Sequence, residues 1–262
     1  MRYLLYIWIS VFYVSEVSAQ DFSVYGRHYF LYRNTEIPYR LLSPQGSSAQ
    51  KFPLIVFLHG AFEKGQDNEA QLSIGGRFFM RDSIRENYSA YVLFPQCPAE
   101  DSWAYFENKL DFTTGYAKDW VFPFREEPTG VSLLVKKLID SLISTNKIDA
   151  SRIYIAGLSQ GAMGVLDLLA RYPETFAAGI SMCGAGEVST AKNFAGKTAL
   201  WLFHGDKDQV VPTLFSQQYY RKLRKAGAAV RYTEYKNTDH NCWSGAFKEP
   251  DLLSWLFAQV KN

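Results

Sequence analysis

Six short runs rich in apolar and aromatic residues, at 53–58, 90–94, 152–156, 177–182, 198–203 and 230–235, set the limits on this fold. A strand buried on one face alternates apolar and polar residues, whereas one covered on both faces reads as a nearly unbroken apolar run. Between the runs lie residues 131–143, 160–171, 214–225 and 252–260, whose apolar positions recur at three- and four-residue intervals, the signature of a helix with one buried face. Pro173 and Gly227 mark two of the helix ends. Strands alternating with helices predict an α/β architecture, a mostly parallel sheet with helices on both faces. Ligands of such sheets bind beyond the carboxyl ends of the strands. Ahead of this pattern, residues 28–33 and 35–42 flank Asn34 and suit an N-terminal antiparallel hairpin, followed by a Ser-, Pro- and Gly-rich loop over 43–50. Residues 103–124 break the alternation. They hold Trp103, Tyr105, Phe106, Phe112, Tyr116, Trp120, Phe122 and Phe124 without a clear period, a long irregular connection suited to cap a site.

Hydrophobic residues make up 47% of the 262 and charged residues 21%, enough apolar material for a sizeable core, and residues 20–262 are expected to form one catalytic domain. The formal net charge is +2 without any long Lys/Arg block, which excludes nucleic acid as a partner; Arg221, Lys222, Arg224 and Lys225 read as a solvated helix face. At the start, Arg2, the apolar run 3–14 and the small residues Val17, Ser18 and Ala19 resemble a cleavable signal peptide over 1–19, so a secreted or periplasmic chain beginning near Gln20 is expected. Ser15 and Glu16 end that run short of the roughly 20 apolar residues that span a bilayer, so no stable membrane insertion is expected. Cys97, Cys183 and Cys242 allow at most one internal disulfide, with all three pairings open, and none of their spacings suits a zinc site.

The strongest chemical signal is Gly157-Leu158-Ser159-Gln160-Gly161, a G-x-S-x-G turn with an apolar strand before it and a helix after it. In that context the serine sits in a strained turn that pushes its hydroxyl out of the strand end, and the helix N-terminus favours nearby negative charge. A bare G-x-S-x-G also occurs by chance as an ordinary glycine turn; the flanking strand and helix argue against that here. A serine nucleophile needs a base and an orienting acid, which in this arrangement follow in the order acid, then histidine. His204 comes before the best acids and reads as a buried histidine at a strand end, whereas His240 lies in a polar loop after residues 230–235 and is the expected base. Asp208 is the expected acid. Asp206 is expected to fix its own turn instead, Asp239 adjoins His240 and faces away from it, Asp167 lies inside the helix after the turn, and Glu187 is a distant alternative. The oxyanion donors are expected to be the amides of Gln160 and of Ala61, with Phe62 as the alternative to Ala61, and His59 is read as bracing that loop by hydrogen bonding.

Taken with Pro38-Tyr39-Arg40-Leu41-Leu42, the run Leu58 through Asn68, Pro95-Gln96-Cys97-Pro98, His204-Gly205-Asp206-Lys207-Asp208 and His240-Asn241-Cys242-Trp243, these motifs resemble exported α/β-hydrolases related to family 1 carbohydrate esterases, including feruloyl and acetyl xylan esterases, and to the phospholipase/carboxylesterase group. The resemblance covers nearly the whole chain after residue 19. It implies an α/β-hydrolase fold, a serine esterase acting through Ser159, His240 and Asp208 without cofactor or metal, and a small-molecule or polysaccharide-linked ester as partner; it favours Asp208 over Asp206. Phe62 departs from the pattern, because glycine is frequent at that position. Phe62, Trp103 and Trp243 are candidate substrate-binding residues, since aromatic faces stack on sugar rings or aromatic acyl groups. Packing beneath a long loop is an equally weighted role for the tryptophans. A peptidase with the same triad and a catalytically silent binding module are the competing readings.

Overall fold

The computed structural model describes residues 21–46 and 50–261. The expected signal segment at 1–19 and its cleavage point lie outside them. Among the described residues, ten strands run as β1 (Tyr25–Tyr32), β2 (Thr35–Leu42), β3 (Phe52–Leu58), β4 (Tyr91–Pro95), β5 (Glu107–Leu110), β6 (Ala117–Val121), β7 (Ile148–Leu158), β8 (Ala178–Met182), β9 (Ala199–Gly205) and β10 (Val230–Tyr235). The α-helices are α1 (Gly76–Met80), α2 (Asp82–Asn87), α3 (Gly130–Ser144), α4 (Gln160–Arg171), α5 (Ala191–Phe194), α6 (Leu214–Lys225), α7 (Trp243–Ala246) and α8 (Leu252–Phe257).

Eight strands form one sheet in the order β1-β2-β4-β3-β7-β8-β9-β10. Pairings from β4 through β10 are parallel, and β1 and β2 join antiparallel at one edge. The hairpin expected around Asn34 turns through Arg33 and Asn34 together, both at positive φ (48° and 64°), as a two-residue turn between right-twisted strands requires. All seven residues of β3 are buried, and their alternation shows which layer each faces. Leu54, Val56 and Leu58 join a cluster with Val131, Leu134 and Val135 of α3 and Val165 and Leu169 of α4. Ile55 and Phe57 pack on the opposite face with Phe78 and Phe79 of α1 and Leu252, Leu253 and Leu256 of α8. Strand β9 divides in the same way, Leu200 and Leu202 to one face and Trp201 and Phe203 to the other. The unbroken apolar runs are thus the consequence of two covered faces. Each such side chain contributes about 1.5–3 kcal/mol by leaving water.

The expected irregular connection at 103–124 contains the antiparallel pair β5–β6, a second small sheet. All four residues of β5 are exposed, so no buried face imposed an alternation that the sequence could display. Its base is anchored by Phe122, which packs with Ala104, Met163, Ala185 and Val211 and meets Phe215 at 5.2 Å between ring centroids. The last helix ends at Phe257, three residues before the expected end at 260. No described helix is long and apolar enough to cross a membrane.

The carboxyl ends of β9 and β10 are drawn together by Gly205. A side-chain carbon there would overlap the carbonyl oxygens of Thr238 and Asp239, and the close approach lets Asp206 N–H donate to Tyr235 O (3.0 Å) and Lys207 N–H to Thr238 O (2.9 Å). Gly205→Ala is therefore expected to cost about 1–3 kcal/mol, the usual range for overpacking, read as a lower urea midpoint. Wild-type stability in that variant would mean that the two loops tolerate separation.

Candidate active site

Three loops at the carboxyl edge of the sheet converge. Ser159 follows β7 with φ 52° and ψ −120°, a conformation that L residues seldom adopt, and its N–H donates to Met182 O at the end of β8 (2.8 Å). Neighbouring glycines make this turn possible. A Cβ on Gly157 would lie 2.6 Å from the Gly161 backbone, and one on Gly161 would overlap the carbonyl oxygens of Leu58 and His59. The strain is held by packing on both sides, as α4 is buried along nearly its whole length.

Asp208 sits on the loop after β9 and His240 on the loop after β10. His240 Nδ1 lies 2.7 Å from Asp208 Oδ2, and His240 Nε2 lies 2.8 Å from Ser159 Oγ. A carboxylate only accepts, so Nδ1 carries the proton and Nε2 is free to accept the serine hydroxyl proton. Asp208 Oδ1 accepts the amides of Val210 (3.0 Å) and Val211 (2.9 Å). Burial alone would raise the Asp208 pKa; hydrogen bonds from His204 and His240, the charge of His240 and the Val211 amide outweigh it and hold the carboxyl at about 2. The acid is ionised throughout the neutral range. This arrangement can activate a hydroxyl for attack while stabilising the imidazolium that results.

Ala61 opens a short 3-10 helix (Ala61–Glu63), and Gln160 opens α4. Amides at such positions have no partner within their own helix and are open to an incoming oxygen. The two segments are adjacent, since a Cβ on Gly60 would lie 3.8 Å from Ser159 Cβ. His59 braces the loop from below. Its Nε2 accepts the Cys97 amide (2.9 Å) and its Nδ1 donates to Gly60 O (2.7 Å), the bracing read from sequence. Beside it, burial raises the pKa of Glu63, opposed by the amides of Glu63 and Gly60 and the Ser73 hydroxyl; its Oε2 has no partner among the described residues.

Of the three aromatic candidates, Phe62 is 99% exposed beside the oxyanion segment, and Trp243 is half-buried with its ring edge-on to His240 at 5.7 Å. Trp103 requires a correction. It is fully buried, donates Nε1–H to His59 O (2.9 Å) and packs against α4 where Gly164 leaves room, so it supports the loop and offers no face to a substrate. Asp206 also differs from expectation, accepting the Thr238 amide (3.3 Å) across the two loops instead of closing its own turn. Asp167 pairs with Arg171 (2.7 Å) on α4, Glu187 caps Ser189 N–H (2.9 Å), and Asp239 accepts the amide of His240 itself (2.8 Å).

Cys183 and Cys242 form a disulfide with Cα atoms 6.3 Å apart, leaving Cys97 as a buried thiol. The spacing of the three cysteines carried no signal for this pairing. Cys183 follows the last residue of β8 at positive φ (54°), and Cys242 is two residues past His240, so the bond ties the histidine loop to the end of the strand beside the serine turn. The ligand atoms of Cys183, His204 and Asp208 come within 4.8 Å of one another, but the bonded Cys183 sulfur offers no thiolate and the set does not fit a metal.

Residues 128–249 match the phospholipase/carboxylesterase family model, a span that runs from α3 past His240. A solved thermostable esterase is 34% identical, with a TM-score of 0.80 over 92% of this chain and 64% of its own. Poly(3-hydroxyalkanoate) depolymerase C of Paucimonas lemoignei is 28% identical over 54% of this chain and 30% of its own length. Acetylxylan esterase A of Emericella nidulans is 27% identical over 56% of this chain and 55% of its own. The chain thus spans about half or less of these two curated relatives.

Two outcomes follow from the braces around the site. Burial, partly offset by the bond to Gly60, lowers the His59 pKa from 6.5 to about 4. Between these values the unfolded chain binds a proton that the folded chain does not, so the contribution is complete above pH 6.5 and falls by roughly 3 kcal/mol towards pH 4. Thermal melts across that window are expected to show a Tm decline that is shallower in His59→Gln. Replacing both Cys183 and Cys242 by Ala reopens a loop of 59 residues and should cost about 4 kcal/mol in urea unfolding; an unchanged midpoint would show that the bond braces nothing.

Proposed function

We propose that the chain is an α/β-hydrolase acting as a serine carboxylic ester hydrolase, with Ser159 as nucleophile, His240 as general base and Asp208 as the orienting acid, a reading supported by the family match over residues 128–249 and by the likeness to the thermostable esterase. The observation that carries this reading is the continuous relay from Ser159 Oγ through His240 to Asp208, at 2.8 and 2.7 Å. In the reaction, Ser159 Oγ attacks the ester carbonyl as His240 Nε2 takes its proton. The amides of Ala61 and Gln160 receive the charge on the carbonyl oxygen, and His240 returns the proton to the departing alcohol, leaving an acyl-serine. Water, deprotonated by the same imidazole, then releases the acid and restores Ser159.

Acyl groups carried on polysaccharides are the proposed substrates. The exposed ring of Phe62 and the partly open ring of Trp243 flank Ser159 and His240, where they suit a sugar or an aromatic acyl group. The acetylxylan esterase relative, whose name denotes an acylated polysaccharide, supports the same choice, while the poly(3-hydroxyalkanoate) depolymerase relative supports ester hydrolysis alone. We further infer export to an oxidising compartment, supported by the signal-like residues 1–19 and by the disulfide, a bond that reducing compartments seldom preserve.

Ser159→Ala is expected to abolish hydrolysis of a simple aryl acetate and labelling by a fluorophosphonate while leaving the melting curve intact. Asp208→Asn should lower kcat by about 10⁴, the scale seen when an orienting carboxylate is neutralised. Near-wild-type turnover by either variant would remove the assignment, and faster cleavage of dipeptide anilides than of acyl esters by the wild type would favour a peptidase.

A further inference from the structure

Behind the relay stands a second histidine that the proposed mechanism does not use. His204, the penultimate residue of β9, is fully buried. Its Nε2 lies 2.8 Å from Val211 O and 3.1 Å from Asp208 Oδ2, the same carboxylate oxygen that His240 Nδ1 approaches at 2.7 Å. Both partners of Nε2 are acceptors, so Nε2 carries the proton. On the far side, Nδ1 is held by Ser216 Oγ of α6 at 2.7 Å, and Ser216 Oγ in turn lies 3.2 Å from Gly184 O. With Nε2 protonated, Nδ1 accepts the single Ser216 hydroxyl proton, so the ring is clamped between the acid loop and α6.

We propose that His204 is a positioning residue of this site: by sharing Nε2–H between Val211 O and Asp208 Oδ2 it fixes the carboxylate and divides the negative potential that Asp208 presents to His240. The inference rests on the esterase reading above. An oxygen shared between two N–H donors presents less negative potential to each than an oxygen serving one. With His204 in place the acid is firmly oriented and the negative charge of its Oδ2 is divided between two imidazole rings. Val211 is bound twice, through its N–H to Asp208 Oδ1 and its carbonyl to His204, so ring and carboxylate are locked as one unit. The surrounding charges leave this unit alone. Asp206 faces Thr238 and Lys236, Lys207 is exposed, Asp239 accepts the His240 amide, and neither Ser216 nor the disulfide-bonded Cys183 titrates in this range. The two histidines are the titratable groups hydrogen-bonded to Asp208 among the described residues.

The test compares wild type, His204→Phe and His204→Gln through the pH dependence of kcat/KM on an aryl acetate, with active sites counted by fluorophosphonate labelling so that misfolded protein does not enter the rates. In His204→Phe the acid limb should move to higher pH by about half a unit or more, kcat per labelled site should fall several-fold, and KM should stay near the wild-type value. In His204→Gln, whose amide can still donate, the limb should return towards the wild-type position. The downfield proton resonance of His240 Nδ1–H should shift in His204→Phe, a readout independent of turnover. An unmoved limb and resonance in His204→Phe, or a His204→Gln variant indistinguishable from His204→Phe, would overturn the proposal. Failure of the wild type itself to label or turn over would instead overturn the esterase reading.

Discussion

The carboxylate of Asp208 is the point on which this site depends. It draws four donors from three separate stretches of chain: two backbone amides of its own loop, His204 from the end of β9 and His240 from the loop after β10. A buried carboxylate without partners costs several kcal/mol, and each donor removes part of that cost while fixing one more segment in space. His204 and the acid loop extend from β9, every residue of which is buried, so that side of the site derives its precision from the packing that stabilises the fold, whereas His240 follows the partly buried edge strand β10. Opposite the carboxylate, the serine turn is set by a steric constraint of a different kind, in which Gly157 and Gly161 let three backbone segments touch.

Much of the architecture was legible because burial on two faces leaves an unmistakable mark. The runs at 53–58 and 198–203 read as strands since each alternate residue feeds one of two helix layers. Where no such constraint acts, the sequence was silent. Strand β5 is exposed throughout and β6 is exposed save for Ala117 and Trp120, so neither carries a clear period, and α1 and α2 are too short to show one. Boundaries shifted by a few residues for the related reason that hydrogen bonding, not hydrophobicity, decides where β7 begins and α8 ends.

In the site, Ser159, Asp208 and His240 could be read as a set because a strained turn, a strand-end acid and a late histidine follow one another in an order that the fold imposes. Trp103 could not be placed in this way. Whether an aromatic residue faces a ligand or the core depends on what lies opposite it, and here the missing side chain of Gly164 admits the indole against α4. His204 was legible as a buried strand-end histidine, but its second bond to Asp208 arises from the way the acid loop folds back over it, a local geometry that no spacing encodes. The cysteine pairing was open for the same reason: contact between residues 183 and 242 depends on where two loops end, which only the assembled sheet determines.

The β5–β6 hairpin has a consequence of its own. It exchanges no ladder bonds with the main sheet, its polar surface is served largely by its own ion pairs, Lys109 with Asp119 and Lys118 with Asp111, and it is rooted through Phe122 and Trp120 against Phe215. Its outer part is therefore a detachable module in evolutionary terms. Lengthening, shortening or exchanging residues 107–119 touches no ladder bond of the main sheet, a freedom that the crowded elbow, where even one methyl group collides, does not have.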